Sequence, residues 1–295
     1  MPEKEFKAGF VSILGKPNVG KSTLMNTIIG ERLSIMSPKA QTTRHRIFGV
    51  ITSDDYQIVY SDTPGVIDPK YKLQERMMNF VKSSLQDADV VLYLVELGEK
   101  YEYSQIIDHI IESKTPLLLV INKIDTAKGS QVLDKTQHWK EHYPDVPIIA
   151  ISALEKLGID ELLDEIQQRL PVHPPYFPED TLTDKSERFI TAEIIREKIF
   201  LNYKKEVPYS CEVLIEEFKE DEKIIRIRAL IHVERDSQKG IIIGKKGESL
   251  KKVGIESREE LEKFFQKKIH LETYVKVEKD WRKKEKALKR FGYTN

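Results

Sequence analysis

Gly15-Lys16-Pro17-Asn18-Val19-Gly20-Lys21-Ser22 follows directly on the apolar run Phe10-Val11-Ser12-Ile13-Leu14, and that juxtaposition decides the fold. A buried strand delivers the loop, and a helix beginning near Lys21 carries the chain away. The pattern G-x-x-x-x-G-K-[ST] in that setting points backbone N–H groups at nucleotide phosphates from a helix N-terminus. Gly15 and Gly20 permit the turns and the close backbone approach. Lys21 supplies a cation for the β- and γ-phosphates, and the Ser22 hydroxyl can ligate Mg2+. Lys16, Pro17, Asn18, Val19 and Thr23 complete the candidate contacts. A Gly/Lys-rich loop without a ligand is the plainer alternative, and the strand before and helix after weigh against it.

Outward from this loop, residues 1–172 alternate short apolar runs with amphipathic stretches. The runs are Gly9-Leu14, Arg46-Ile51, Gln57-Ser61, Val90-Val95, Pro116-Ile121 and Val146-Ile151. Helical periodicity fills Leu73-Leu85, Ser104-Glu112, Gln131-Tyr143 and Ile159-Leu170. Strands alternating with helices predict an α/β domain, a mostly parallel sheet with helices on both faces. Ligands in such sheets bind at the carboxyl ends of the strands. Pro171-Val172-His173-Pro174-Pro175-Tyr176-Phe177-Pro178 cannot continue a helix and reads as a stiff linker, placed at 173–185. A second domain, 186–295, follows with another order. It has a long helix at about Ser186-Tyr203, a hairpin of Cys211-Phe218 and Ile224-Val233, and a short helix. A Gly-Lys-Lys-Gly turn, a second helix at about Glu248-Phe265, a strand at His270-Lys279 and a basic helix at Trp281-Phe291 complete it. This is a small α+β domain.

The 295 residues suffice for about two domains. Net charge is zero overall, but residues 1–180 hold 20 Lys+Arg against 26 Asp+Glu, and residues 181–295 hold 28 against 22. The excess of six positive charges in the second part suggests a polyanionic partner, with a solvated basic surface as the alternative. A single cysteine, Cys211, excludes an internal disulfide and fits a reducing, cytoplasmic compartment. The amino terminus lacks the apolar core of a signal peptide, and no run approaches the length that spans a bilayer. A soluble protein is expected.

Two further elements decide which nucleotide binds. Asp62-Thr63-Pro64-Gly65 follows the strand Gln57-Ser61: Asp62 can hold the Mg2+ shell and the Gly65 N–H can sense a γ-phosphate. Asn122-Lys123-Ile124-Asp125 follows Leu117-Ile121. Asp125 can accept from the guanine N1–H and 2-amino groups, donors that adenine lacks. Lys123 can lay its stem along the base, and Asn122 can tie its loop to the phosphate loop. Ser152-Ala153 follows the last strand, where the Ala153 N–H can meet guanine O6. In Gln41-Thr42-Thr43-Arg44-His45, a threonine hydroxyl, Thr43 in preference to Thr42, can complete the Mg2+ shell while the γ-phosphate is present. Lys21, Thr43 and Gly65 are the candidates for contact with the reacting phosphate.

Together, GKPNVGKS, QTTRH, DTPG, NKID and SA resemble the TrmE–Era group of translation-factor-class GTPases. The resemblance implies GTP and GDP as ligands, Mg2+ as cofactor, and K+ activation through Asn18. Val66 stands where Ras-like enzymes carry a water-orienting glutamine, so the resemblance implies a hydrophobic-substituted GTPase with slow intrinsic hydrolysis.

In the second domain, Ile241-Ile242-Ile243-Gly244-Lys245-Lys246-Gly247-Glu248-Ser249-Leu250 resembles the I-G-x-x-G core of a KH domain. Such a turn clamps about four nucleotides of single-stranded nucleic acid through backbone N–H groups. Lys245 and Lys246 add charge, and Ile241, Ile242 and Ile243 can floor the bases. The order α-β-β-α-α-β suggests the type II variant. Trp281, Leu288 and Phe291 can form an apolar stripe on the terminal segment, best read as packing on the KH core, while its basic face meets RNA, anionic lipid or only water.

A GTPase followed by PPYFPEDTLTDKSERF, EIIREKIF, GKKG and WRKKEKALKRFGY resembles the Era-like branch of the group along essentially the whole chain. That resemblance implies binding to 16S ribosomal RNA near its 3′ end, at an AUCA-type segment, and assistance to 30S subunit assembly. It also implies peripheral contact with the cytoplasmic face of the inner membrane. Neither a DNA partner nor oligomerisation is expected. A tandem-GTPase relative would need a second phosphate loop, and a tRNA-modifying relative would end in a Cys-containing motif; the chain has neither. A nucleotide-holding RNA scaffold and a metabolic P-loop kinase are the rival classes.

Overall fold

The computed structural model describes residues 5–99 and 105–294. Six strands form one sheet in the order β2-β3-β1-β4-β5-β6. They are β1 (Lys7–Gly15), β2 (Ile47–Thr52), β3 (Tyr56–Asp62), β4 (Val90–Glu96), β5 (Leu117–Asn122) and β6 (Ile148–Ala150). Only β2 runs antiparallel, joined to β3 by a tight turn; the other neighbours pair in parallel. The parallel pairing follows from composition: β4 (VVLYLVE) and β5 (LLLVIN) are buried on both faces almost throughout. The crossovers supply α1 (Lys21–Ile29), α2 (Lys72–Gln86), α3 (Gln105–Glu112), α4 (Gln131–His142) and α5 (Ile159–Arg169). α1, α3 and α5 turn buried residues such as Leu24, Ile107, Ile110, Leu162 and Ile166 inward. Ser104, expected to open α3, lies outside the described residues.

A second sheet has the order β7-β8-β9. β7 (Glu212–Glu220) and β8 (Ile224–Val233) make the expected hairpin, with a bulge between Ile215 and Glu217. β9 (Lys268–Val277) joins β8 in parallel, which demands the helical crossover of α7 (Asp236–Ile243) and α8 (Glu248–Phe265). α6 (Glu187–Asn202) is capped by Ser186, whose hydroxyl accepts from the Phe189 N–H. Isoleucines of α6 join Cys211, Val213, Ile227, Ile231, Ile242, Val253 and Leu261 in the core of this sheet. Cys211 is therefore a small core residue, as expected.

By compactness the chain divides into two units. The first holds the described residues up to Ser34 together with Thr43–Ile67 and Met78–Asp184. The second holds everything described from Lys185 on, and also Ile35–Thr42 and Asp68–Met77.

The Pro-rich stretch, expected as a stiff linker, holds no helix. It is strapped along the first unit: Val172 bridges Lys7, Thr183 bridges Gly49, and the Gln57 amide oxygen accepts from the Tyr176 and Phe177 N–H groups at 2.7 and 3.0 Å. Tyr176 packs edge-on against Phe10, and Phe177 against Phe48. One expectation needs correction: Trp281-Phe291 is not one helix. A 3-10 turn at Trp281–Lys283 is separated from α9 (Glu285–Arg290) by Lys284, whose backbone is extended. Burial enforces the break: Trp281 donates its indole N–H to the Ser210 carbonyl at 2.8 Å, and Leu288 is fully buried.

Candidate functional site

The carboxyl ends of β1, β3 and β5 bring the first-unit motifs together. The loop Gly15–Gly20 wraps into α1, whose first turn carries no acidic residue and no side-chain cap. A helix N-terminus of this kind suits an anion. Gly20 holds φ +102°, and a Cβ there would stand 2.2 Å from Asn122 Nδ2. That contact matters because the same amide donates to the Val19 carbonyl at 2.8 Å, tying β5 to the phosphate loop as expected.

Lys21 is buried and donates to the Gly15 and Lys16 carbonyls at 3.1 and 2.9 Å. Burial pulls its pKa down to about 8, with the charge of Asp62 opposing the shift. Asp62 is itself fully buried, which pushes its carboxyl pKa up, while hydrogen bonds from Ser22 and the charge of Lys21 hold it down. Three oxygens converge beside them. Ser22 Oγ lies 2.7 Å from Asp62 Oδ2 and 2.8 Å from Thr43 Oγ1, and Thr43 Oγ1 lies 3.4 Å from Asp62 Oδ2. Thr43, rather than Thr42, stands in this group; the Thr42 hydroxyl donates instead to the Lys39 carbonyl at 2.6 Å.

The set fits Mg2+. It offers hard oxygens from one carboxylate and two hydroxyls, and Asp62 Oδ1 is buried with no hydrogen-bond partner among the described residues. Among the described residues no group of three or more His, Cys, Asp or Glu could hold a metal by itself. A cation here would share its coordination with phosphate oxygens, as Mg2+ commonly does.

Thr63 is buried and donates to the Ile13 carbonyl at 2.8 Å, and Pro64 and Gly65 are buried after it. The Val66 N–H donates to the Gly15 carbonyl at 3.1 Å, and its side chain packs against the apolar cluster around Leu14 and Val81. It presents no group that could bond a water. On the base side, Asp125 Oδ1 accepts from Ser152 Oγ at 2.5 Å. The Ala153 N–H, expected to meet guanine O6, is donated to Asn122 Oδ1 at 3.0 Å. The buried Asn122 amide takes that donor for its own loop.

Sequence reasoning missed two carboxylates. Glu96, at the end of β4, pairs with Lys123 at 2.8 Å, and Glu99 pairs with Lys16 at 2.7 Å. Position at a strand's carboxyl end was the available signal for Glu96; Glu99 carried none.

In the second unit, Gly244 (φ +72°), Lys246 (φ +53°) and Gly247 (φ +81°) all take positive φ between α7 and α8. A Cβ on Gly244 would stand 2.2 Å from Ser249 Oγ. Lys245 and Lys246 are exposed at the tip. Of the three isoleucines expected to floor bases, Ile241 is exposed and Ile243 half-buried. Ile242 is fully buried in the core and has no face to offer, because one side of α7 must pack inward.

This arrangement defines a class, a phosphate-loop GTPase joined to a KH domain. The family model described as 50S ribosome-binding GTPase matches residues 10–123, and that of the KH domain matches residues 206–282. The chain is 47% identical to GTPase Era of Geobacter metallireducens over the full length of both chains. It is also 47% identical to GTPase Era of Syntrophus aciditrophicus, with 98% of this chain and 95% of that one aligned. A crystal structure of Era in complex with MgGDPNP and nucleotides 1506-1542 of 16S ribosomal RNA superposes with TM-score 0.94 at 40% identity, covering 98% of this chain and all of that one. A variant of Aquifex aeolicus Era bound to GDP.AlF4- matches equally well. The chain belongs to the Era family of GTPases.

Proposed function

We propose that this chain hydrolyses GTP to GDP and phosphate in residues 1–172 and binds the 3′ region of 16S ribosomal RNA through residues 186–295, the two joined by residues 173–185. The observation that carries the nucleotide reading is the convergence of Ser22, Thr43 and Asp62 beside the buried Lys21. Backbone N–H groups of residues 15–22 bind phosphate, and Lys21 meets the charge on the β- and γ-phosphates. Ser22, Thr43 and Asp62 hold Mg2+, which neutralises charge on the phosphate oxygens. Asp125, set by Ser152, reads guanine, and Lys123, set by Glu96, covers the base. The Gly65 N–H meets the γ-phosphate. Water attacks that phosphorus, and the bond to the GDP oxygen breaks. With Val66 half-buried against the apolar cluster, no side chain at that position orients the water, so intrinsic turnover is slow. Asn18, in a left-handed backbone conformation at φ +67°, is our candidate ligand for an activating K+.

The RNA reading is supported by the KH match and by the Era structure solved with nucleotides 1506-1542 of 16S ribosomal RNA. The Gly244–Gly247 turn with Lys245 and Lys246 binds the sugar-phosphate backbone, and Ile241 and Ile243 meet bases. Among the described residues no helix is long and apolar enough to cross a membrane. We place the protein in the cytoplasm as a monomer that assists 30S assembly. Exposed Lys283, Lys284, Lys286 and Lys289 would allow peripheral contact with anionic lipid. Multiple-turnover phosphate release from GTP, abolished by Lys21→Ala, tests the enzyme and excludes a scaffold that only holds nucleotide. Retention of an oligoribonucleotide spanning the 16S 3′ region, lost on substituting Lys245 and Lys246, tests the second half.

A further inference from the structure

Beyond Ile151, the loop between β6 and α5 buries no large side chain: Leu154 and Leu157 stand 71% and 50% exposed. Apolar packing therefore does little to place it, and hydrogen bonds within the first unit take over. Ser152 and Leu157 close the loop by exchanging backbone bonds, each at 3.1 Å. The N–H of the buried Ala153 goes to Asn122 Oδ1 at 3.0 Å. The Ala153 carbonyl accepts from Thr27 Oγ1 at 2.7 Å. Thr27 lies in the second turn of α1, the helix that opens in the phosphate loop. A threonine inside a helix commonly bonds back to its own helix; Thr27 gives its hydroxyl to a loop 126 residues further along the chain. Both peptide planes that flank Ala153 are thus held by side chains, and each plane is rigid. The residue before it, Ser152, donates its hydroxyl to Asp125 Oδ1 at 2.5 Å and accepts from the Glu155 N–H at 3.1 Å.

We infer that Thr27 is a positioning residue for base selection. By holding the Ala153 peptide it keeps the Ser152 hydroxyl against Asp125, and so keeps that carboxylate turned to the N1–H and 2-amino groups of guanine. Thr27 does not touch the base; it acts through Ser152. This rests on the assignment of Asp125 as the base reader. The phosphate-binding N–H groups of residues 15–22 take no part, so Thr27 bears on which base is chosen rather than on the grip on phosphate.

The test is calorimetric binding of GDP and of inosine diphosphate, each with Mg2+, to the full chain carrying Thr27→Val, Ser152→Ala, or both. Inosine lacks the 2-amino group, so the preference for GDP reads one of the two bonds to Asp125. The parent should prefer GDP about tenfold, the worth of one hydrogen bond to a charged group. Thr27→Val keeps the shape but loses the donor, and should cut that preference about threefold, the low end for one neutral hydrogen bond. Ser152→Ala should cut it at least as far, and adding Thr27→Val to it should change the preference no further. Thr27→Ser keeps the hydroxyl and should keep the parent's preference. Equal losses for the two nucleotides in Thr27→Val, or a preference that still falls in the Ser152→Ala background, would make Thr27 merely structural and overturn the inference. A parent that binds both nucleotides equally would overturn the base-reading assignment, and the inference with it. If Thr27→Val fails to fold, Thr27→Ala, a better helix former, must show the same loss of preference. An alanine variant with the parent's preference would refute the role.

Discussion

Lys21 is a buried cation whose pKa lies near 8, far below the ordinary 10.5. The sign of its consequences follows from linkage. In nucleotide-free protein the folded pKa lies below the unfolded one, so burying the charged form costs about 3 kcal/mol at pH 7. That cost is relieved as pH rises from 8 towards 10.5. Phosphates bound against Lys21 favour its charged form. GDP binding at pH 8.5 should therefore take up a proton, and affinity should fall as pH climbs above 8. Titration calorimetry in buffers of different ionisation enthalpy reads the uptake directly, and Lys21→Met should remove it. A second expectation belongs to Asp125. Asp125→Asn exchanges an acceptor for a donor and should weaken GTP by about 100-fold while admitting XTP, measured by competition. Unchanged guanine preference would refute the base-reading role. The site motifs were legible because each stands where a strand ends, and strand ends can be read from apolar runs. What was not legible depends on distant partners. Glu96 finds Lys123, and Glu99 finds Lys16. The bond from the Ala153 N–H to Asn122 Oδ1 was not legible for a related reason, since its acceptor comes from another strand.

At the scale of elements, doubly buried strands such as β4 and β5 announce themselves, and so does the β7–β8 hairpin, because periodicity is local. The break at Lys284 does not, since a helix-compatible sequence is overruled by the burial of Trp281. Trp281→Ala should cost about 3–5 kcal/mol, the range for losing a large buried aromatic, and denaturant unfolding followed by the second unit's signal measures it. The Gly244–Gly247 turn makes a different prediction. Lys245 and Lys246 are exposed cations beside a backbone poised for phosphate. Replacing both by alanine should weaken a single-stranded 16S oligonucleotide and flatten the slope of log affinity against log salt by about 1.4, two charges' worth for a single strand. An unchanged slope would mean that the RNA lies elsewhere.

For the whole molecule, the expectation concerns coupling between ligands. If GTP and RNA favour one conformation, GDPNP should raise RNA affinity over GDP, and RNA should raise GDPNP affinity over GDP by the same factor. Filter binding in one direction and calorimetry in the other must agree; equal RNA affinity in both nucleotide states would leave two independent modules. The two-part organisation was visible in the change of element order after residue 171. The membership of Ile35–Thr42 and Asp68–Met77 in the second unit was not, because no local pattern records it. That membership bears on how the gene can be cut. A fragment beginning at Lys185 would lose the Met36 N–H that Glu197 accepts from and the Thr42 carbonyl that Arg196 donates to. It would also lose Arg76, which pairs with Glu285. Charges that evolution hid would face solvent or stay hidden without their partners, so such a truncation should melt well below the corresponding transition of the full-length protein. Anyone borrowing the KH-bearing unit as a portable tool would have to bring two stretches from earlier in the chain along with it.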